Sequence, residues 1–273
     1  MTVQTAPGGE LKAKHRAMWA FGDYPSVADE VIPSLGPALV EAAGIQQGQR
    51  VLDVAAGSGN AAIPAARLGA EVVASDLTPE LLATGKAAAD AEGVTLEWRE
   101  ADAEALPFDD DSFDATISCV GVMFAPHHQQ SADELVRVTR SGGTIGLLSW
   151  TPEGFIGQMF ATMKPYVAPP PAGVQPPPLW GREDHVRDLL GDRVTDVVAR
   201  REKLRVDRFA SAEEFRDFFK ATYGPTIAAY KQIADQPEKV AALDEDLAAL
   251  ARAHDQGDGV MEWEYLLLTA RTR

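Results

Sequence analysis

Val51-Leu52-Asp53-Val54-Ala55-Ala56-Gly57-Ser58-Gly59-Asn60 is the stretch that decides how this chain folds. A short apolar run closes on an acid, turns through Gly-Ser-Gly and continues into a helical pattern. Strand, glycine turn and helix in that order bring backbone amides close to a bound nucleoside cofactor. The same residues, read as Gly57-x-Gly59-x-x-Ala62, also satisfy the loose fingerprint of nicotinamide-dependent oxidoreductases. Asp53 argues against that second reading. A carboxylate inside the turn repels a pyrophosphate and suits a cofactor carrying a positive ammonium group, met directly or through a water.

The chain downstream adds pieces in a fixed order. Val72-Val73-Ala74-Ser75-Asp76 is a second apolar run ending in an acid, about 20 residues past the glycines, where a carboxylate accepts both ribose hydroxyls. Glu100-Ala101-Asp102-Ala103-Glu104-Ala105-Leu106-Pro107-Phe108 follows a third strand, and Ser112-Phe113-Asp114-Ala115-Thr116-Ile117-Ser118 opens a fourth. Glu134-Leu135-Val136-Arg137-Val138-Thr139-Arg140-Ser141-Gly142-Gly143-Thr144 supplies a helix, a tight turn and the start of a fifth strand. From about Arg50 to Trp150 this series resembles the class I S-adenosylmethionine-dependent methyltransferases, in particular the small-molecule branch similar to the ubiquinone and menaquinone biosynthesis methyltransferases (methyltransferase type 11-like). Two residues depart from that family's pattern. Ala55 stands where many members have the first glycine, which calls for a negative φ there, and Ser141 stands where they often have proline, which leaves the turn less rigid.

The resemblance implies a Rossmann-like α/β fold: a seven-stranded, mostly parallel sheet flanked by helices, with N-terminal helices and a C-terminal cap or lid. The alternation of elements supports it independently. Strands are predicted over 50–55, 71–75, 94–99, 113–119 and 143–149, and helices over 60–68, 79–92 and 131–140. In the 79–92 helix, Thr78 is the expected cap, Pro79 and Glu80 suit the first turn, and Gly93 is the stop. Ahead of the core, residues 1–10 are expected to fray, and helices are predicted over 11–20 and 27–43. Beyond it, Asp196–Val206 and Met261–Arg271 read as the last two strands, which in the resembling family form an antiparallel hairpin at the sheet edge. Ser211 to Gly257 reads as helical, with Ser211 and Glu214 as a capping box. The chain thus divides into an N-terminal helical segment (1–48), a cofactor-binding core (49–150), a proline-rich lid or substrate segment (151–192), and a last part (193–273) that completes the same domain.

Composition narrows the partners. Of 273 residues, 25 are Lys or Arg and 41 are Asp or Glu, a formal charge of −16 that disfavours nucleic acid as a substrate. Cys119 is the sole cysteine, which excludes an intrachain disulfide and a multi-cysteine metal site; no metal site is expected. No apolar run has the length of a signal peptide core or a membrane span, and the expected location is the cytoplasm.

Carried over residue by residue, the resemblance places Asp53, Ala55, Gly57, Gly59 and Asn60 with nearby backbone against the methionine part of S-adenosylmethionine. It places Asp76 on the ribose and Leu77 on the adenine, and it gives Asp102 and the Ala103 amide to the adenine nitrogens. Cys119, Val120 and Gly121 would line the fourth-strand end near the methyl group, and S-adenosylhomocysteine would be the product. The acceptor is expected to be a small molecule methylated on O, N, S or C. His127, just beyond the fourth strand at the edge where open α/β sheets bind ligands, is the candidate base for a hydroxyl acceptor. His15, Trp19, Tyr24, Tyr166 and Trp180 are candidate lid or pocket residues. Two other readings remain at this point: the nicotinamide-dependent oxidoreductase, and a catalytically silent protein that binds S-adenosylmethionine.

Overall fold

A computed structural model describes residues 7–273. The fraying expected of residues 1–10 lies partly outside this range, and from Pro7 onward the backbone is already helical. Three helices lead in: α1 (Pro7–Trp19), α2 (Tyr24–Glu30) and α3 (Leu35–Ala42). The single helix expected over 27–43 is therefore two. Pro33 follows the end of α2 in a turn and cannot supply the amide a continuous helix needs there. The core continues with β1 (Arg50–Val54), α4 (Ala62–Arg67), β2 (Glu71–Asp76), α5 (Pro79–Glu92), β3 (Glu97–Glu100), β4 (Phe113–Cys119), α6 (His128–Val138) and β5 (Thr139–Trp150). After it come α7 (Phe155–Met163), α8 (Glu183–Leu190), β6 (Val194–Val206), α9 (Ala212–Thr222), α10 (Gly224–Gln232), α11 (Pro237–His254) and β7 (Met261–Thr272).

One seven-stranded sheet runs β3-β2-β1-β4-β5-β7-β6. The first five strands pair in parallel, and β7 runs antiparallel to both β5 and β6. Val51, Leu52 and Val54 of β1 are buried, as expected for a central parallel strand covered on both faces. The chain works outward from β1 through β2 to β3, then returns to lay β4 on the other side of β1. That reversal opens a crevice beyond the carboxyl ends of β1 and β4, the place where open α/β sheets take their ligands.

Local signals are mostly realised. Gly93 closes α5 with φ of 70°, and Leu82, Gly85 and Ala89 turn inward together. Thr78 occupies the cap position of α5 without using its hydroxyl; its backbone amide donates instead to Asp76 Oδ1 at 2.8 Å. Ser211 Oγ accepts from the Glu214 amide at 3.1 Å, and Glu214 reaches back to the Ala210 amide, a capping box shifted by one residue. Helices α9 to α11 fill the interval between β6 and β7 and join the sheet through an aromatic cluster. In it Phe155 stacks on Trp263 at 4.9 Å, with Phe215 and Phe219 edge-on or tilted around them. This cap also carries α1. The Asp23 amide donates to the Thr222 carbonyl at 3.1 Å, and a Cβ on Gly224 would stand 2.4 Å from the Met18 carbonyl oxygen, so only glycine permits the contact. α1 is thereby held over the sheet's carboxyl edge.

Candidate functional site

At the end of β1 the chain turns sharply through Ala55, whose φ is +55°. The negative φ expected of an alanine here is overturned: the turn needs the left-handed region, at a strain that glycine would not carry. Val120, at the end of β4, has φ of +57° for the same kind of turn. The two turns press together, since a Cβ on Gly121 would lie 2.1 Å from the Ala55 carbonyl oxygen. The loop amides are already committed inside the fold. The Gly57 amide donates to Asp76 Oδ2 at 2.9 Å, and the Ala56 amide donates to the Ser75 carbonyl at 2.9 Å. A glycine turn whose amide is spent on a carboxylate is a poor pyrophosphate cradle, which counts against the nicotinamide reading.

Asp53 is 1% exposed, and among the described residues neither carboxylate oxygen has a hydrogen-bond partner. Burial raises its pKa to about 8, partly opposed by the nearby Ala62 amide, which stops short of hydrogen-bond geometry, with the Asp76 charge pushing in the same upward direction as burial. An orphaned buried carboxyl under the glycine turn fits a cofactor that brings a cation to that spot. Asp76 is also buried and pushed upward by burial, but the Thr78 and Gly57 amides pull it back by donating to its two oxygens.

A cleft opens over these strand ends, where open α/β sheets take their ligands. Ala55, Gly57, Asp76, Leu77, Asp102, Ala103, Val120 and Gly121 all line it, so most of the expected cofactor residues come together. Asp102 Oδ1 accepts from Lys12 Nζ at 2.6 Å and from the Glu104 amide at 2.9 Å, leaving Oδ2 open. Four expected residues do not reach the wall. Asp53 lies behind the turn. Gly59 packs toward Trp98 and Ile63, and Asn60 Nδ2 donates to the Ile32 carbonyl at 3.4 Å. Cys119 stops short of the cleft, its thiol pushed well up by burial, while its neighbours Val120 and Gly121 form the wall. The set nevertheless fits S-adenosylmethionine: carboxylates for an ammonium and a ribose, and apolar Leu77 and Ala103 for the adenine.

The other wall is α1. Lys12, His15 and Trp19 project from it into the cleft, joined by Tyr24, Phe124 and Pro126. Trp19 meets Phe124 edge-on at 4.6 Å and Tyr24 at 5.4 Å. Trp19, Tyr24 and His15 thus line the cleft. Lys12 was not legible as a site residue, because nothing in a polar N-terminal helix says which acid it will meet.

Three expected residues lie off the cleft wall. His127 does not line the cleft; its Nδ1 is held against Glu104 Oε2 at 2.9 Å and its amide donates to Glu104 Oε1 at 2.7 Å, which makes it an anchor for the start of α6. Trp180 is 1% exposed and packs 5.5 Å from the His128 ring, in the core. Tyr166 donates to Asp246 Oδ2 at 2.5 Å, away from the cleft. The proline-rich segment does not line the cleft. It is tied down by the Gln175 amide on the Pro126 carbonyl at 3.0 Å and by Gly181 against the Trp150 backbone, and the cleft is roofed by α1.

This combination of sheet order, glycine turn and strand-end acids defines a nucleoside-cofactor site of the methyltransferase type. Comparison with known proteins narrows it. Residues 52–147 match the family model described as "Methyltransferase domain". The protein Rv1405c of Mycobacterium tuberculosis is 57% identical over 276 residues, covering 100% of both chains. The ubiquinone/menaquinone biosynthesis C-methyltransferase UbiE of Zymomonas mobilis is 28% identical over 192 residues, covering 69% of this chain and 70% of its own. The crystal structure of Haemonchus contortus phosphoethanolamine N-methyltransferase 2 in complex with S-adenosyl-L-methionine shares the fold, with a TM-score of 0.55 at 17% identity, over 87% of this chain and 52% of that one. The chain belongs to the class I S-adenosylmethionine-dependent methyltransferases. Among the described residues, no helix is long and apolar enough to cross a membrane.

Proposed function

We propose that this enzyme methylates a small, flat, largely apolar molecule that enters between α1 and the loop after β4. The observation that carries the reading is the two-sided cleft: one wall bears the strand-end acids Asp76 and Asp102, and the other is built of Trp19, Tyr24, Phe124 and Pro126. The acidic wall suits the donor, and the aromatic wall suits an acceptor that stacks rather than one that pairs charges. The strong negative charge of the chain speaks against a nucleic-acid acceptor.

When bound, S-adenosylmethionine supplies an electrophilic methyl group on a sulfonium. The protein's own residues have to hold and orient. Asp76 would take the ribose hydroxyls, Leu77 and Ala103 would hold the adenine, Asp102 Oδ2 would accept from its amino group, and Asp53 would balance the ammonium. The aromatic wall excludes water and fixes the acceptor's plane, and positioning of this kind supplies much of the rate. Calorimetry with S-adenosylhomocysteine, with NADH titrated in parallel, tests the reading. Binding of S-adenosylhomocysteine alone supports it and justifies screening flat aromatic acceptors; binding of NADH alone, or of neither, refutes it.

A further inference from the structure

Lys12, His15 and Trp19 are spaced three and four residues apart, so they share one face of α1 and form a row about 10 Å long. The two ends of that row are fixed. Lys12 sits at the adenine end, on Asp102 Oδ1 at 2.6 Å and on Glu104 Oε2 at 2.7 Å. Trp19 sits at the far end, against Tyr24, whose ring also faces Gly57. His15 therefore faces the middle of the cleft, between the cofactor-holding acids and the aromatic wall.

Among the described residues, five side chains that line the cleft ionise: Lys12, His15, Tyr24, Asp76 and Asp102. Four of them are unsuited to accept a proton from an acceptor molecule. Lys12 is an ion-paired ammonium with no lone pair. Tyr24 is a phenol driven well above its ordinary range by burial, so it stays protonated. Both Asp76 oxygens already accept backbone amides, and Asp102 has its charge balanced by Lys12 at Oδ1 while its Oδ2 is the acceptor assigned to the adenine amino group. His15 is left. Burial first, then the Lys12 charge, lowers its pKa below the ordinary imidazole value; Glu104, the Phe124 carbonyl and Asp102 pull it the other way. The ring is therefore neutral at neutral pH, with one nitrogen free to accept.

We infer that His15, carried by α1, is the catalytic base of the acceptor site and that the acceptor is a planar aromatic bearing an acidic hydroxyl. The inference rests on the methyltransferase reading and adds the residue and the acceptor class. His15 takes the hydroxyl proton while the oxygen's electron pair forms the new bond to the methyl carbon. The pair of the broken carbon–sulfur bond stays on sulfur, and the proton leaves His15 to solvent. A base of this kind accounts for about 100- to 10,000-fold in rate.

The probe is 4-nitrophenol, whose phenolate absorbs visibly, so that its consumption by O-methylation is followed directly. His15→Gln should bind S-adenosylhomocysteine within about twofold of wild type by calorimetry. With S-adenosylmethionine in place, O-methylation of the probe should fall in His15→Gln by the factor above, while His127→Gln keeps the wild-type rate. The acid limb of the pH–rate profile should move in His15→Gln from the protonation of His15 to the probe's own ionisation. Failure of S-adenosylhomocysteine to bind the wild type overturns the methyltransferase reading itself. Normal binding with no O-methylation by the wild type, or with an equal rate and pH profile in His15→Gln, overturns only the role of His15 and the acceptor class.

Discussion

Replacing Asp53 with asparagine tests how the buried carboxyl serves the cofactor. With a pKa of about 8 in the folded protein, Asp53 is about nine-tenths protonated at pH 7. In the unfolded chain it titrates near 4, as an ordinary aspartate does. Between those two values the unfolded chain has lost a proton that the folded chain keeps. Stability therefore falls as pH rises from about 4 to about 8, by at most about 1.4 kcal/mol per pH unit, and levels off above. At pH 7 the ceiling of this penalty is about 4 kcal/mol, and Asp53→Asn, which resembles the neutral acid in shape, escapes it. The opposite sign is expected for the liganded protein. If the ammonium of S-adenosylhomocysteine settles beside Asp53, the carboxyl ionises on binding, so the wild type should release close to one proton at pH 7 and bind up to about tenfold more tightly per pH unit up to pH 8. The assays are chemical denaturation of the unliganded protein across pH 5–9, and calorimetry at pH 7 in buffers of different ionisation enthalpy. Asp53→Asn should flatten both slopes and abolish the proton release. A stability difference between the two proteins that does not change with pH, or binding without proton release in the wild type, refutes the reasoning.

Asp76→Ala should weaken S-adenosylhomocysteine binding by about 1–3 kcal/mol, and it should also lower the melting temperature, because the Gly57 and Thr78 amides lose their acceptor. Unchanged affinity by calorimetry would remove Asp76 from the cofactor site. Gly121→Ala should destabilise the protein by about 1–3 kcal/mol in denaturant titration, since its Cβ would sit 2.1 Å from the Ala55 carbonyl oxygen and force two strained turns apart. A wild-type midpoint would mean that the two loops are not in contact. Trp180→Ala should cost about 3–5 kcal/mol of stability as a core truncation, whereas Trp19→Ala should leave stability nearly intact and raise the acceptor KM. The reverse pattern would return the proline-rich segment to the acceptor site.

The fold was legible because its signals are local and repeated: apolar strands of parallel type, each followed by a turn or acid, with helices between them at regular intervals. The strand-end acids were legible for the same reason. Asp76 and Asp102 are each placed by their own strand, and strands paired in parallel present their carboxyl ends on one edge of the sheet. What was not legible depends on contacts made across the chain. The left-handed turn at Ala55 is imposed by its approach to Gly121, far downstream in sequence, and overrides the residue's own preference. His127 had the position expected of a base, but Glu104 holds its ring and amide, and the side chain does not line the cleft. Trp180 had the composition of a lid residue, yet Gly181 lets that segment sink against the Trp150 backbone and buries the indole. The assignment of the roof turns on the same kind of contact. α1 carries no strong amphipathic signal of its own, and its orientation is fixed from outside by the Asp23 amide on Thr222 and by Met18 on Gly224. The cap between β6 and β7 therefore positions the α1 wall of the cleft without lining the cleft itself. Changes in that cap, as at Gly224, would alter what the enzyme accepts by moving the row of Lys12, His15 and Trp19 as one rigid helix face.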